Sequence, residues 1–479
     1  MTDESLAAMP ATEMARAFAN KTLSPKEALV AVLDRLDEVE PSINAFVHVD
    51  RDGAKKAAAA AETRYQNGTP LGPLDGIPLS VKDMLLTKGM PTRKGSLTTD
   101  PDAPQDTDAP AVARARAAGA VLYGKTTTTE FGGSPYSNSP LTGDTHSPWN
   151  LKYGCAGSSM GAAAQLAAGV GTLAIGNDAS GSIRMPASFG GVYGIKPTFG
   201  MVANWPPSSA GILGHTGPMG RNVTDSALLL QIIAGPDVRD PYSLPRQGDV
   251  LDADPIADVT GMRVAYSPGL GLIDPDADVR AATDAAAKTF ADMGAEVELV
   301  DPDFSGLFEA YNCLRICNRA ASYRASGAGD KRETMDELVA RVLDQSRAYD
   351  ADDLIAAMRH RETLVARMKA FHETYDILLT PTVAVAPFPL GTGPTPQDDH
   401  WFQIDGHVWS PYTFAFNMTH QPAASIPCGL TGADSREASG LPIGLQIVAA
   451  PYRDDLVLHA SRAFEASHPW EYPNFLGAS

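Results

Sequence analysis

The sequence predicts an α/β protein. Three observations carry that reading: helical stretches alternate with short apolar runs, Gly and Pro turn signals bound the runs, and charged residues stand at the end of one of them. The 479 residues leave room for two or three domains or for one large α/β domain. A 44% hydrophobic and 20% charged composition, with 43 Gly and 37 Pro spread along the chain, suits a globular enzyme with many turns rather than a repeat or disordered protein.

Helical periodicity opens over residues 11–19. Ser24-Pro25 pairs a capping residue with proline at the first helical position and starts a second helix through 27–38. A third helix covers 53–65. After the turn Gly72-Pro73-Leu74-Asp75-Gly76, residues 77–81 read as a short strand with Lys82-Asp83 at its end, where α/β folds build their sites. A helix over 109–118 precedes a strand over 121–124. From 132 to 161 the chain is mostly Gly, Ser, Pro, Asn and Thr, which predicts a long ordered loop laid on a scaffold. Beyond Gly200, helices are expected at 281–293, 309–325, 354–375 and 454–466, and strands at 297–300, 377–379, 425–426 and 443–448. Residues 387–411, rich in Pro, Gly and Asp with two Trp, form an excursion that either rims a pocket or is a plain surface loop.

Charge and targeting signals narrow the function classes. With 38 Lys and Arg against 57 Asp and Glu, net charge −19, and no basic run, binding to a phosphate backbone is disfavoured. The acidic start lacks the basic and apolar regions of a signal peptide, and the apolar stretch 162–176 is too short to span a bilayer, so a cytoplasmic protein is expected. Four cysteines without a CxxC do not make a disulfide scaffold; Cys313 and Cys317, at i,i+4 on a helix, are read as packing rather than metal ligands.

The chemistry concentrates between Gly154 and Gly200, where two serine clusters, Ser158-Ser159 and Ser180 with Ser182, lie among small residues that let backbone N–H groups approach a ligand. A serine hydroxyl needs a base. His146 and His215 are nearest in sequence, but neither stands in a triad context. A buried lysine serves when it is neutral, and Lys82 at the end of an apolar strand qualifies.

Gly157-Ser158-Ser159, the downstream Gly181-Ser182-Ile183-Arg184-Met185-Pro186 and Gly194-Ile195-Lys196-Pro197-Thr198 resemble the amidase signature family. So do Gly76-Ile77-Pro78-Leu79-Ser80-Val81-Lys82-Asp83, Gly217-Pro218-Met219, Leu379-Thr380-Pro381-Thr382 and the segment Gly440 to Gln446, so the likeness covers nearly the full length in order. The resemblance implies a Ser-cisSer-Lys triad: Ser182 as nucleophile, Ser158 as the relaying cis-serine and Lys82 as base. It implies an oxyanion hole from the N–H groups of Ala179, Ser180, Gly181 and Ser182, with Ser159, Asp178 and Arg184 in support. It also implies one domain over 1–479, with a signature core of about 76–225 and a C-terminal part of about 226–479, built on a mixed, mostly parallel sheet flanked by helices. No metal or cofactor is expected. The expected partner is a small-molecule amide, ester or carbamate, including nylon-type oligomers, without nucleic acid or membrane, and a homodimer is left open.

Two departures from the family pattern bear on specificity: Met160 and Ser180 stand where the family often has glycine. Tyr136, Trp205, Tyr311, Trp401 and Trp409 are candidate pocket liners that are equally well read as packing. Rival readings are weak. Gly157-Ser158-Ser159-Met160-Gly161 fits G-x-S-x-G, but residues 150–156 before it read as loop rather than the strand a nucleophile elbow needs. Gly169-Val170-Gly171-Thr172-Leu173-Ala174 fits a dinucleotide fingerprint in the reverse setting, after a helix and before a strand. A glutamine-hydrolysing component of a tRNA-dependent amidotransferase is the alternative function, and a catalytically silent binding protein the third.

Overall fold

The computed structural model describes residues 6–103, 105–245, 258–393, 409–435 and 437–473. Eleven strands form one sheet: β1 (Phe46–Val49), β2 (Pro78–Lys82), β3 (Val121–Thr126), β4 (Leu173–Asp178), β5 (Tyr193–Lys196), β6 (His215–Gly220), β7 (Arg263–Tyr266), β8 (Glu296–Leu299), β9 (Ile377–Pro381), β10 (Ala423–Leu430) and β11 (Pro442–Ala449). Their spatial order is β1-β3-β2-β4-β6-β5-β10-β11-β9-β7-β8. The sheet is mixed, as expected. Parallel pairing occupies two three-stranded runs, β3-β2-β4 and β9-β7-β8. The strands between those runs and the β1 edge pair antiparallel. Strands β2 and β4 run side by side in parallel, Ser80 opposite Ala174 and Val81 opposite Ile175, so Lys82 and Asp178 come out at the same edge.

Local chemistry accounts for the helices. Ser24 caps Pro25–Ile43 with a full capping box to Glu27, and the helix continues past the expected 27–38 with Pro41 in its last turn. Asp350 and Asp353 do the same for Ala351–Thr374. Helices Met160–Ala167 and Arg184–Gly190 are buried along their whole length and pack on each other against the sheet. Gly161 allows this approach, since a Cβ there would lie 2.3 Å from the Ala45 carbonyl and 2.5 Å from the Thr127 N–H. Strands β1, β5, β6 and β7 and the helices Arg184–Gly190, Val223–Ile233, Glu337–Gln345 and Pro411–Met418 are not expected from sequence. Most are short, and an apolar run of that length has no distinguishing period.

The loop between 132 and 161 carries two small ladders, Asn138–Ser139 with Gly143–Asp144 and His146–Ser147 with Asn150–Gly154. Asn150–Gly154, expected as loop, is therefore a strand, yet it lies outside the central sheet and is exposed at Leu151 and Lys152, so the elbow reading gains nothing. Of the 387–411 excursion, residues 394–408, Trp401 among them, fall outside the described residues; Pro389 bridges to Tyr153, and Pro411 starts a buried helix. Among the described residues no helix is long and apolar enough to cross a membrane.

Candidate active site

Lys82 is the last residue of β2 and is fully buried. Its Nζ donates to Ser158 Oγ at 2.7 Å and to the Asn177 carbonyl at 3.3 Å. Burial holds the ammonium form well below its usual range; the nearby Asp178 opposes this, and the Arg319 charge adds to it. That shift favours the neutral amine, the form in which a lysine can accept a proton.

Ser158 follows a cis Gly157-Ser158 peptide bond and stands at the start of the helix Met160–Ala167. The backbone of Ser159 donates to the Ser182 carbonyl at 3.2 Å, which ties the two serine segments together. The Ser159 hydroxyl points at the Asn177 carbonyl at 3.5 Å. Ser158 and Ser182 line one cavity with about 100 Å³ of room for water, whose walls include Met84, Phe131, Gly132, Ala179, Trp205 and Arg319. Ser182 is 7% exposed and Ser158 1%, so both serines are buried. The structure thus gathers Lys82, Ser158, Ser159 and Ser182 at one point.

Asp178 and Arg184 build the turn that carries Ser182. The Asp178 carboxylate accepts from Gly181 N–H at 2.7 Å, Ile183 N–H at 3.1 Å, Arg184 Nε and Nη2 at 3.0 Å each, and Asn417 Nδ2 at 2.9 Å. Burial alone would raise this carboxyl, but the Arg184 guanidinium and the donated hydrogen bonds hold it below the usual range. Arg184 reaches onward to the Thr413 carbonyl, Gln446 Oε1 and Asn417 Oδ1. This narrows one expectation: the Gly181 N–H is turned onto Asp178, which leaves Ala179, Ser180 and Ser182 as the candidate oxyanion donors. Gly181 sits at φ +113°, and a Cβ there would lie 2.4 Å from Thr413 Oγ1.

Neither histidine near the serines in sequence lines this cavity. His146 Nδ1 meets the Leu151 carbonyl at 2.7 Å, and buried His215 Nδ1 meets that of Leu213 at 2.9 Å. Among the candidate liners, Trp205 is in the cavity wall. Tyr136 lines a separate cavity of about 270 Å³ with Phe189 and Phe388, and Trp409 is buried, stacked on Phe189. Tyr311 is buried, with its hydroxyl on Ser180. Several site residues had no sequence signal of their own. Arg319 holds the Gly132 carbonyl at 2.9 Å, beside Ser158. Lys125, paired with Asp83 at 3.3 Å, pins the loop after Lys82 through the Leu85 carbonyl and Thr92. Thr413, Asn417 and Gln446 reach the turn that carries Ser182 from far along the chain. Of these, only Gln446 lies in a segment that the resemblance marked.

A family model described as Amidase matches residues 27–458. An acylamidase of Rhodococcus erythropolis is 35% identical over 481 residues, 98% of each chain. A glutamyl-tRNA(Gln) amidotransferase component of Acidothermus cellulolyticus is 35% identical over 488 residues, covering 96% of this chain and 94% of that one. Among solved structures, a bacterial aryl acylamidase of the amidase signature family superposes with a TM-score of 0.89 at 28% identity, over 97% of both chains. A 6-aminohexanoate cyclic dimer hydrolase in complex with substrate gives 0.85 at 27% identity, over 98% of this chain and 99% of that one.

Proposed function

The chain belongs to the amidase family, and we propose that it hydrolyses carboxylic amides through an acyl-enzyme on Ser182, with Lys82 and Ser158 as the proton relay. The observation that carries this reading is the 2.7 Å contact between buried Lys82 Nζ and Ser158 Oγ, in the wall of the cavity that Ser182 shares. Ser182 Oγ attacks the carbonyl carbon as its proton passes to Ser158 Oγ and the Ser158 proton to neutral Lys82. The N–H groups of Ala179, Ser180 and Ser182 face the developing oxyanion, a contact worth about 3 kcal/mol per donor. The proton then returns along the relay to the leaving amine, and water cleaves the ester at Ser182.

Esters and carbamates present the same acyl carbon and belong to the proposed substrate range, as do linear or cyclic aminoacid oligomers of the kind the 6-aminohexanoate dimer hydrolase is named for. The reading takes the chain as one domain, supported by the continuous eleven-stranded sheet, acting in the cytoplasm on a small molecule, alone or as a homodimer. The test is a panel of anilides, aliphatic amides, esters and carbamates with wild type and Ser182→Ala. Turnover of none of them by wild type, or equal turnover by the variant, overturns the proposal. The relatives named as amidotransferase components support a second reading, glutamine hydrolysis beside partner proteins. Glutamine-dependent ammonia release that appears only with co-purified partners would favour it.

A further inference from the structure

Ser180, the serine in a position where the family often has glycine, is held by two groups. Thr413 Oγ1 donates to its carbonyl at 2.8 Å, and the Tyr311 hydroxyl donates to its Oγ at 2.7 Å. Tyr311 comes from the helix Leu307–Ala325. Its ring is fixed by near-parallel stacking on Phe414, with centroids 3.9 Å apart and planes 6° apart. Phe414 adjoins Thr413 on the helix Pro411–Met418. Both grips on Ser180 therefore come from one packed unit, whereas the Asp178 carboxylate holds the neighbouring Gly181 and Ile183.

We propose that Tyr311 is a positioning residue that sets the aim of the Ala179, Ser180 and Ser182 N–H groups at the oxyanion, acting through the Ser180 hydroxyl. The proposal rests on the Ser182 acyl-enzyme reading. A glycine at 180 has no side chain for a neighbour to hold; the serine converts a free turn into one tied to a distant helix. Oxyanion donors act only within a narrow range of the position the charged oxygen occupies, so a small drift costs rate while leaving ground-state binding nearly intact. The Ser180 hydroxyl is the contact through which Tyr311 meets the turn.

The test uses a fluorophosphonate, whose reaction at Ser182 expels fluoride and develops negative charge on a phosphoryl oxygen where the carbonyl oxyanion would stand, so that no knowledge of the natural substrate is needed. The inactivation rate constant and the half-saturating concentration are measured for wild type, Tyr311→Phe, Ser180→Ala and the double variant. Tyr311→Phe keeps the ring on Phe414 and is expected to slow inactivation about tenfold, with half-saturation changed less than about twofold. Ser180→Ala is expected to slow it by a similar factor. The double variant should be no slower than either, because each substitution removes the same link. Equal slowing by Tyr311→Phe with and without the serine hydroxyl would mean general packing and overturns the proposal. So does an unchanged rate in both single variants. If Tyr311→Phe fails to fold, Ser180→Ala, which leaves the helix contact in place, decides alone. Absence of labelling in wild type sinks the acyl-enzyme reading itself, a distinct outcome.

Discussion

Asp178→Asn is the most informative single change, because it alters one atom at the centre of the nucleophile turn. Asp178 Oδ1 accepts from Gly181, Arg184 and Asn417, and Oδ2 from Ile183 and Arg184. An asparagine must place its NH₂ on one of these sides, so at least two donors then face a donor, whichever way the amide turns. The same change leaves Arg184, which is fully buried, without its ion pair. Removing one partner of a buried pair costs about 3–5 kcal/mol, a large share of the roughly 5–15 kcal/mol that holds a typical domain folded. The sign with pH follows from the depressed Asp178 carboxyl: its contribution is complete above the unfolded value of about 4 and is lost only as pH falls through the lower folded value. Thermal or urea unfolding of wild type and variant from pH 8 to pH 3 should therefore show a constant gap above about pH 5 that closes in strong acid. Turnover should fall by about a hundredfold or more as the turn loses its aim. A gap under about 1 kcal/mol at pH 7 with normal turnover would refute the assignment of Asp178 as the clamp of the turn.

Four further outcomes are expected. Ser182→Ala should abolish both turnover and fluorophosphonate labelling while leaving the melting temperature close to wild type, because only a hydroxyl at the cavity wall is removed; residual labelling would point to another serine. Lys82→Ala should remove most turnover, and near-normal activity in that variant sinks the relay. Because burial lowers the Lys82 ammonium, the acid limb of the wild-type kcat/KM profile should level off well below the range of an ordinary lysine; a rise continuing to about pH 10 would mean an ordinary exposed lysine. Gly181→Ala should lose activity about a hundredfold, since the added methyl meets Thr413 Oγ1 at 2.4 Å in a backbone conformation that disfavours a side chain. Inactivation kinetics with the fluorophosphonate at wild-type speed would contradict that geometry.

How far the sequence could be read depended on whether the signal was local. The helix starting at Pro25 was legible because Ser24, Pro25 and Glu27 write its cap within a few residues. Lys82 was legible as a site residue because an apolar run ends on it after a Gly-Pro-rich turn. Its contact with Ser158, 76 residues on, came only through the resemblance. The short strands Tyr193–Lys196 and Arg263–Tyr266 escaped notice because four residues do not show a period. The Gly181 N–H is an oxyanion donor on the family resemblance, and a glycine can turn its amide toward a ligand. Which way it turns is decided by the Asp178 carboxylate three residues before it.

Tertiary contacts that no spacing encodes supply the rest of the site. Thr413, Asn417 and Gln446 lie 229 to 262 positions from Arg184 in their contacts, yet they complete its hydrogen bonds. They arrive because β5 pairs with β10 and β10 with β11, joining a strand of the signature segment to the C-terminal half of the chain. Ser182, the proposed nucleophile, is therefore oriented by both halves. Arg184 is the link: its one face neutralises Asp178 beneath the turn, and its other closes on the helix Pro411–Met418 and on strand β11. Loosening that C-terminal contact should disturb Ser182 before it disturbs the Lys82–Ser158 pair, which rests on β2, β4 and the helix Met160–Ala167 in the other half.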